Sequence, residues 1–269
     1  MNIFKFEIKR NQKTALLWTL ISGFFVFLFM ALFPSMKNSG IQEFVVTKFD
    51  AFPKEFMTAF GVDSAVNFDD IMHYTAYTLQ YIIMAMAVYG ILLGFDSLLI
   101  EETQGTIEFL YAQPTSRKKI FWSKVLSHGW LLFQSLFLLG MITFLSAVVF
   151  KPDNLAFRTL GLDMAELFLG SLFVCFLYFF LGVFIGSIMH TKSSGLALGI
   201  FFLSYIVGIL SRIKEDLSFM RYFAPFDYAL PMDIVRQGWD LKYIFVGAVA
   251  MIVLLFSSFF LYQKKNFRI

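Results

Sequence analysis

The chain has 269 residues, 58% of them apolar and 37 of them Phe, with a mean hydropathy of +0.71. Only 15% of residues are charged and these cluster between apolar runs, which excludes an ordinary soluble domain and fits a polytopic membrane protein. The formal charge of +3 is too small to argue for nucleic acid as a partner, and the single Cys175 excludes a disulfide framework and a cysteine-based zinc set.

In chain order, residues 1–14 carry Lys5, Lys9, Arg10 and Lys13 interleaved with Ile3, Phe4, Phe6 and Ile8. This pattern predicts an amphipathic segment lying in the membrane surface. Residues 15–33 form a first span, ended by Pro34, and no small-residue cleavage site follows as in a signal peptide. Residues 34–74 hold three Lys and six acids and read as an extracytoplasmic segment. Within them, Phe52 to Gly61 predicts a short helix with Pro53 in its first turn, and Asn67 is placed to cap a second one, with Asp70 three residues on.

Further spans are expected at 75–100, 129–150, 165–189, 195–210 and 243–262. Gly182 and Gly186 give the fourth span a face of small residues. Residues 211–241 are too apolar for a free loop and too broken for a span, so short re-entrant-like helices are expected there. Six spans place both termini on one side, and that side holds twelve of the 22 Lys and Arg, close to the span ends. The positive-inside rule makes it the cytoplasm, including residues 101–128.

That loop contains a small amphipathic unit. Ile107, Leu110 and Tyr111 fall at helical spacing, Gly105 precedes them, Pro114 follows, and Ser116 is a candidate N-cap for the next helix. Glu101 and Glu102 read either as a charged stop at the membrane surface or as a docking site for a partner's cations. No G-x-x-x-x-G-K-[ST] occurs, and His73, His128 and His190 sit near different span ends. No catalytic, cofactor-binding or metal-ligating residue is therefore expected in the chain.

Gly105-Thr106-Ile107-Glu108-Phe109-Leu110, then Pro114-Thr115-Ser116-Arg117, Ile120 and Lys124, resembles the G-T-x-E-x-L…P-x-S-R…K signature of ABC-2-type transporter permeases. The basic N-terminus, the Phe52–Gly61 segment and Pro225-Phe226 are similar to the bacterial drug- and peptide-exporting members. The resemblance implies an all-α bundle of six transmembrane helices in the bacterial cell membrane that pairs with a second permease protomer, identical or homologous. It also implies two separate ATP-binding cassette subunits, which would bind ATP and Mg2+, and a coupling helix at about 103–112 between the second and third spans. By that analogy Glu101, Glu102, Gly105, Thr106, Ile107, Glu108, Phe109, Leu110, Tyr111, Pro114, Ser116, Arg117 and Lys124 form the ATPase-coupling site. Ile107, Leu110 and Tyr111 would pack on the ATPase, Glu108 would make a polar contact, and Arg117, Lys118 and Lys119 would pair with acids or lipid phosphates. Phe and Met richness points to hydrophobic or amphipathic cargo, a peptide antibiotic or drug. The alternatives are a sensory or immunity module that binds a peptide without transport, and a sodium or lipid-linked substrate transporter of the same family.

Overall fold

The computed structural model describes residues 3–38, 57, 67–112, 114–152 and 155–266. Among them there is no strand. The long helices are α1 (Ile3–Asn38), α2 (Ile71–Thr103), α4 (Arg117–Phe150), α5 (Phe157–Ile188), α6 (Ser194–Ile213) and α8 (Leu241–Lys264). All six are long and apolar enough to cross a membrane. The short helix α3 (Ile107–Tyr111) lies between α2 and α4. Two 3-10 helices, Glu215–Phe223 and Pro225–Ala229, and the short α7 (Pro231–Gln237) fill the stretch before α8. The helix expected at Phe52–Gly61 falls, Met57 apart, outside the described residues.

Length decides where the polar chemistry sits. α1, with 36 residues, rises roughly 54 Å, against a hydrocarbon core of roughly 30 Å. α2 and α4, with 33 and 34 residues, overhang in the same way. The segment 1–14, expected to lie flat on the membrane, is instead continuous with the first span. Its inward face carries Glu7, 1% exposed, while Lys5, Phe6, Lys9 and Lys13 face outward. Glu7 is the one acid in that segment and it is drawn to a lysine of α4, which keeps the helix upright against the bundle. Pro34 does not end α1. The helix runs on to Asn38, and the proline removes only one hydrogen bond near its end. The cap of α2 is Asp70, whose carboxylate accepts from the Met72 and His73 amides at 2.6 and 3.2 Å; Asn67 instead accepts from Asp69 in the preceding turn.

α2 is the central helix. It packs most extensively on α5, while α1 packs on α4 and α8 on α5. Four glycines bring the α2 and α5 backbones together. A Cβ on Gly94 would stand 2.1 Å from the Phe179 carbonyl oxygen, and one on Gly182 would stand 2.1 Å from that of Ile91. Gly90 and Gly186 face the Cys175 and Phe95 carbonyls in the same way. Hydrocarbon lipid gives no hydrophobic drive for helices to associate, so this close packing holds the pair together. Gly90 and Gly94 carry the same four-residue spacing that the sequence shows at Gly182 and Gly186.

At the end far from the termini, the re-entrant stretch is anchored by Asp227. Its carboxylate is fully buried on Gly208 of α6, with Arg212 Nε at 3.3 Å. The Arg221 guanidinium donates to the Asp227 carbonyl at 2.9 Å and stacks on Tyr243, 4.3 Å from its ring centre. Burial pushes the Asp227 carboxyl up to about 6, against the pull of Arg212 and Arg221.

Gly94→Ala or Gly182→Ala forces a side chain into a backbone carbonyl and should cost about 1–3 kcal/mol or more. Reaction of the buried Cys175 thiol with a maleimide during a thermal ramp measures this, with an earlier onset expected in both variants. Asp227 binds its proton more tightly when folded, so stability falls as pH rises from the ordinary carboxylate range through about 6, then levels off. Asp227→Asn should remove that dependence. Tryptophan-fluorescence melts of wild type and variant should diverge more at pH 7.5 than at pH 5.

Candidate functional site: the charged end of the bundle

The overhanging turns of α1, α2 and α4 meet at the end of the bundle that holds both termini, and they meet through charge. Lys124 is fully buried. Its ammonium donates to Glu101 Oε2 at 2.5 Å, to Glu7 Oε1 at 3.1 Å and to the Ser97 carbonyl at 3.2 Å. Arg10 closes the ring, donating to Glu101 Oε1 at 3.0 Å and to Glu7 Oε2 at 2.5 Å. Two acids and two bases therefore balance. His128, one turn beyond Lys124, donates from Nδ1 to the Lys124 carbonyl at 2.8 Å, and its Nε2 accepts from Asn11 at 3.4 Å.

Glu102 points the other way. Its Oε1 stands 2.7 Å from His190 Nδ1 and its Oε2 stands 2.9 Å from Lys265 Nζ. Lys265 also donates to the Met189 and Gly186 carbonyls. Burial pulls the Lys265 ammonium below the usual lysine range, and Glu102 opposes that shift. The last turn of α2 thus grips α1 and α4 with one glutamate, and the α5–α6 turn and the end of α8 with the next. Asp96 and Lys192, 2.7 Å apart and partly exposed, add a weaker tie to the same turn.

The stretch 101–124 hangs from this cluster. α2 ends at Thr103, and Gly105 takes φ +66°, a left-handed turn that favours glycine. α3 follows. Ile107 is 4% exposed, so it packs inside the chain. Leu110 and Tyr111 also pack against the core, and the Tyr111 hydroxyl donates to that of Tyr262 on α8 at 3.0 Å. Ile107 is therefore committed to its own bundle, while Leu110 and Tyr111 are half-buried. Thr103, Gln104, Gly105, Thr106, Glu108, Ala112, Pro114 and Ser116 are exposed, as are Lys118 and Lys119 at the start of α4. Phe109 falls in α3, between them.

Ser116 caps α4, accepting from the Lys119 amide at 3.4 Å. The Arg117 guanidinium donates to the Gln263 and Lys265 carbonyls at 3.1 and 3.0 Å, closing the end of α8, and lies over the Tyr111 ring. Glu101 and Glu102, at 6% and 9% exposure, bind cations of their own chain and are not open for docking. The sequence reading missed Glu7, Arg10, His128, His190 and Lys265. The one available signal was a lone acid, Glu7, within a basic segment.

A buried ion cluster of this kind costs much to break, because removing one partner strands the others away from water. Lys124→Met should cost about 3–5 kcal/mol. Adding Glu7→Gln should recover part of that loss, and the recovery is read as restored monodispersity and Cys175 protection in detergent.

Residues 1–267 match the family described as ABC-2 family transporter protein. No curated protein matches the chain significantly. A bundle with six helices able to span a membrane, joined at one end by a charge cluster and matched over nearly its whole length, belongs to the ABC-2 transporter family, as a membrane component of an ABC transporter.

Proposed function

We propose that this chain is the permease subunit of an exporter in the bacterial cytoplasmic membrane, with both termini and α3 in the cytoplasm. Separate ATP-binding subunits, one for each of two permease protomers, bind ATP and Mg2+ and press on α3. The observation that carries this reading is the placement of α3. It is fixed to α8 by Tyr111 and Tyr262, and it follows directly on the glutamate pair that grips the ends of α1, α4, α5 and α8. A push on α3 is thereby shared among the helix ends instead of being absorbed by a slack loop. The exposed edge of Gln104, Glu108 and Pro114 is the surface offered to the ATPase.

The path for cargo runs along α2, beside α1 and α6. α2 keeps a half-exposed stripe of Tyr77, Tyr81, Met84, Val88, Leu92 and Asp96, at steps of three and four residues. Its mixture of aromatic, thioether and aliphatic groups suits a hydrophobic or amphipathic substrate, such as a peptide antibiotic or drug.

Co-purification with the ATP-binding subunit tests the docking edge. Gln104→Arg/Glu108→Arg should lower the retained ATPase by about tenfold, equivalent to ~1.4 kcal/mol, at unchanged permease level. Ile107→Asp should lower the level of the permease itself, because it buries a charge in the bundle. Full retention of the ATPase by the double variant would remove α3 from the interface.

A further inference from the structure

On the flank of the bundle away from α1, α4, α5 and α8 leave an apolar groove of about 420 Å³. Trp122, Leu126, Trp130 and Phe133 form its α4 wall, Phe176 lies on α5, and Leu255 lies on α8. Gly129 lines it without a side chain, and a Cβ there would meet the Phe176 and Phe179 rings only at 3.7 Å, in ordinary contact. From Trp122 to Phe133 the groove follows α4 for roughly 16 Å, starting in its overhanging turns and running into the expected span.

The groove is polar at one end only. Lys118 and Lys119 lie one turn before Trp122, three and four residues back, and so on the same face of α4. Both are exposed, and among the described residues neither ammonium takes part in a hydrogen bond or ion pair. The neighbouring Arg117 is already engaged with the α8 carbonyls. A chain-length apolar slot leading to two uncommitted cations at the membrane surface complements an anion carried on a hydrocarbon tail.

We propose that this groove holds one acyl chain of an anionic phospholipid, whose phosphate sits against Lys118 and Lys119. A zwitterionic lipid would fill the slot equally well but would bring its own cation to the lysines. An apolar helix from a second copy would bury them without a counter-charge. The site stands at the start of α4, the helix that follows α3, so a bound lipid would brace the neighbour of the helix on which the ATPase is proposed to act.

The purified full-length chain in detergent, titrated with dioleoyl-phosphatidylglycerol or dioleoyl-phosphatidylcholine and read by native mass spectrometry, tests the assignment without any ATPase. The glycerol lipid should be retained at about 30-fold lower concentration than the choline lipid, the scale expected of two lysines near a headgroup. Lys118→Gln/Lys119→Gln should erase the preference and keep choline-lipid retention. Gly129→Leu should plug the slot and reduce retention of both lipids, with Cys175 still protected from maleimide. Equal retention by wild type, a preference that survives the glutamine pair, or undiminished retention by a folded Gly129→Leu would each overturn the proposal. So would a Gly129→Leu variant that dissociates a dimer while keeping its lipid, since the groove would then belong to a second copy.

Discussion

An ammonium group carried inside a membrane protein must be neutralised by its own chain, and here Lys124 sets that condition. It is fully buried, and the two carboxylates that surround it come from residues 7 and 101. Neither can leave without stranding the cation, so the start of α1, the end of α2 and the start of α4 are obliged to share one place. A buried ion cluster adds little net stability over apolar packing. Its contribution is to register, because two acids and two bases balance in only one arrangement of these three helices. The overhanging turns exist to reach it. A bundle trimmed to the thickness of the hydrocarbon would have no Glu7, no Arg10 and no overhang of α4.

The second glutamate extends the same logic to the other half of the chain. Glu102 reaches the α5–α6 turn through His190 and the end of α8 through Lys265. Two adjacent side chains on one helix thus join the first half of the chain to the second. α3 sits directly after them, with Ile107 turned inward and Glu108 outward. A helix free on both faces would wobble under load. One packed against Tyr262 and tethered to the end of α2 passes displacement on to the helices it touches.

Much of this was legible in the sequence. The apolar runs gave the number of long helices, and the Gly105–Lys124 motif pointed to the family. The direction of its side chains was not legible. Helical spacing groups Ile107, Leu110 and Tyr111 on one face, but it does not say whether that face meets a partner or the chain's own core, since both interfaces ask for the same residues. The ion cluster was hidden for a different reason. Glu7 and Lys124 are 117 positions apart, and a charge near the end of a span looks the same whether it is solvated or paired. The basic segment 1–14 was read from its cations, of which Lys5, Lys9 and Lys13 face outward, whereas its single acid decides its orientation. Asp227 was likewise unmarked, because its burial depends on the space left by Gly208 in another helix.

The glycine contacts between α2 and α5 limit how the molecule can move. Carbonyls of Ile91 and Phe95 sit in the notches at Gly182 and Gly186, and those of Cys175 and Phe179 sit at Gly90 and Gly94. The notches repeat every four residues, so sliding one helix along the other by less than about one turn would drive a side chain against a carbonyl. The two helices are keyed together like a tongue in a slotted rail. They can tilt or rotate as a single slab, but they do not slip, and any opening of the bundle during a working cycle must be found at its more loosely packed partners, α6 foremost.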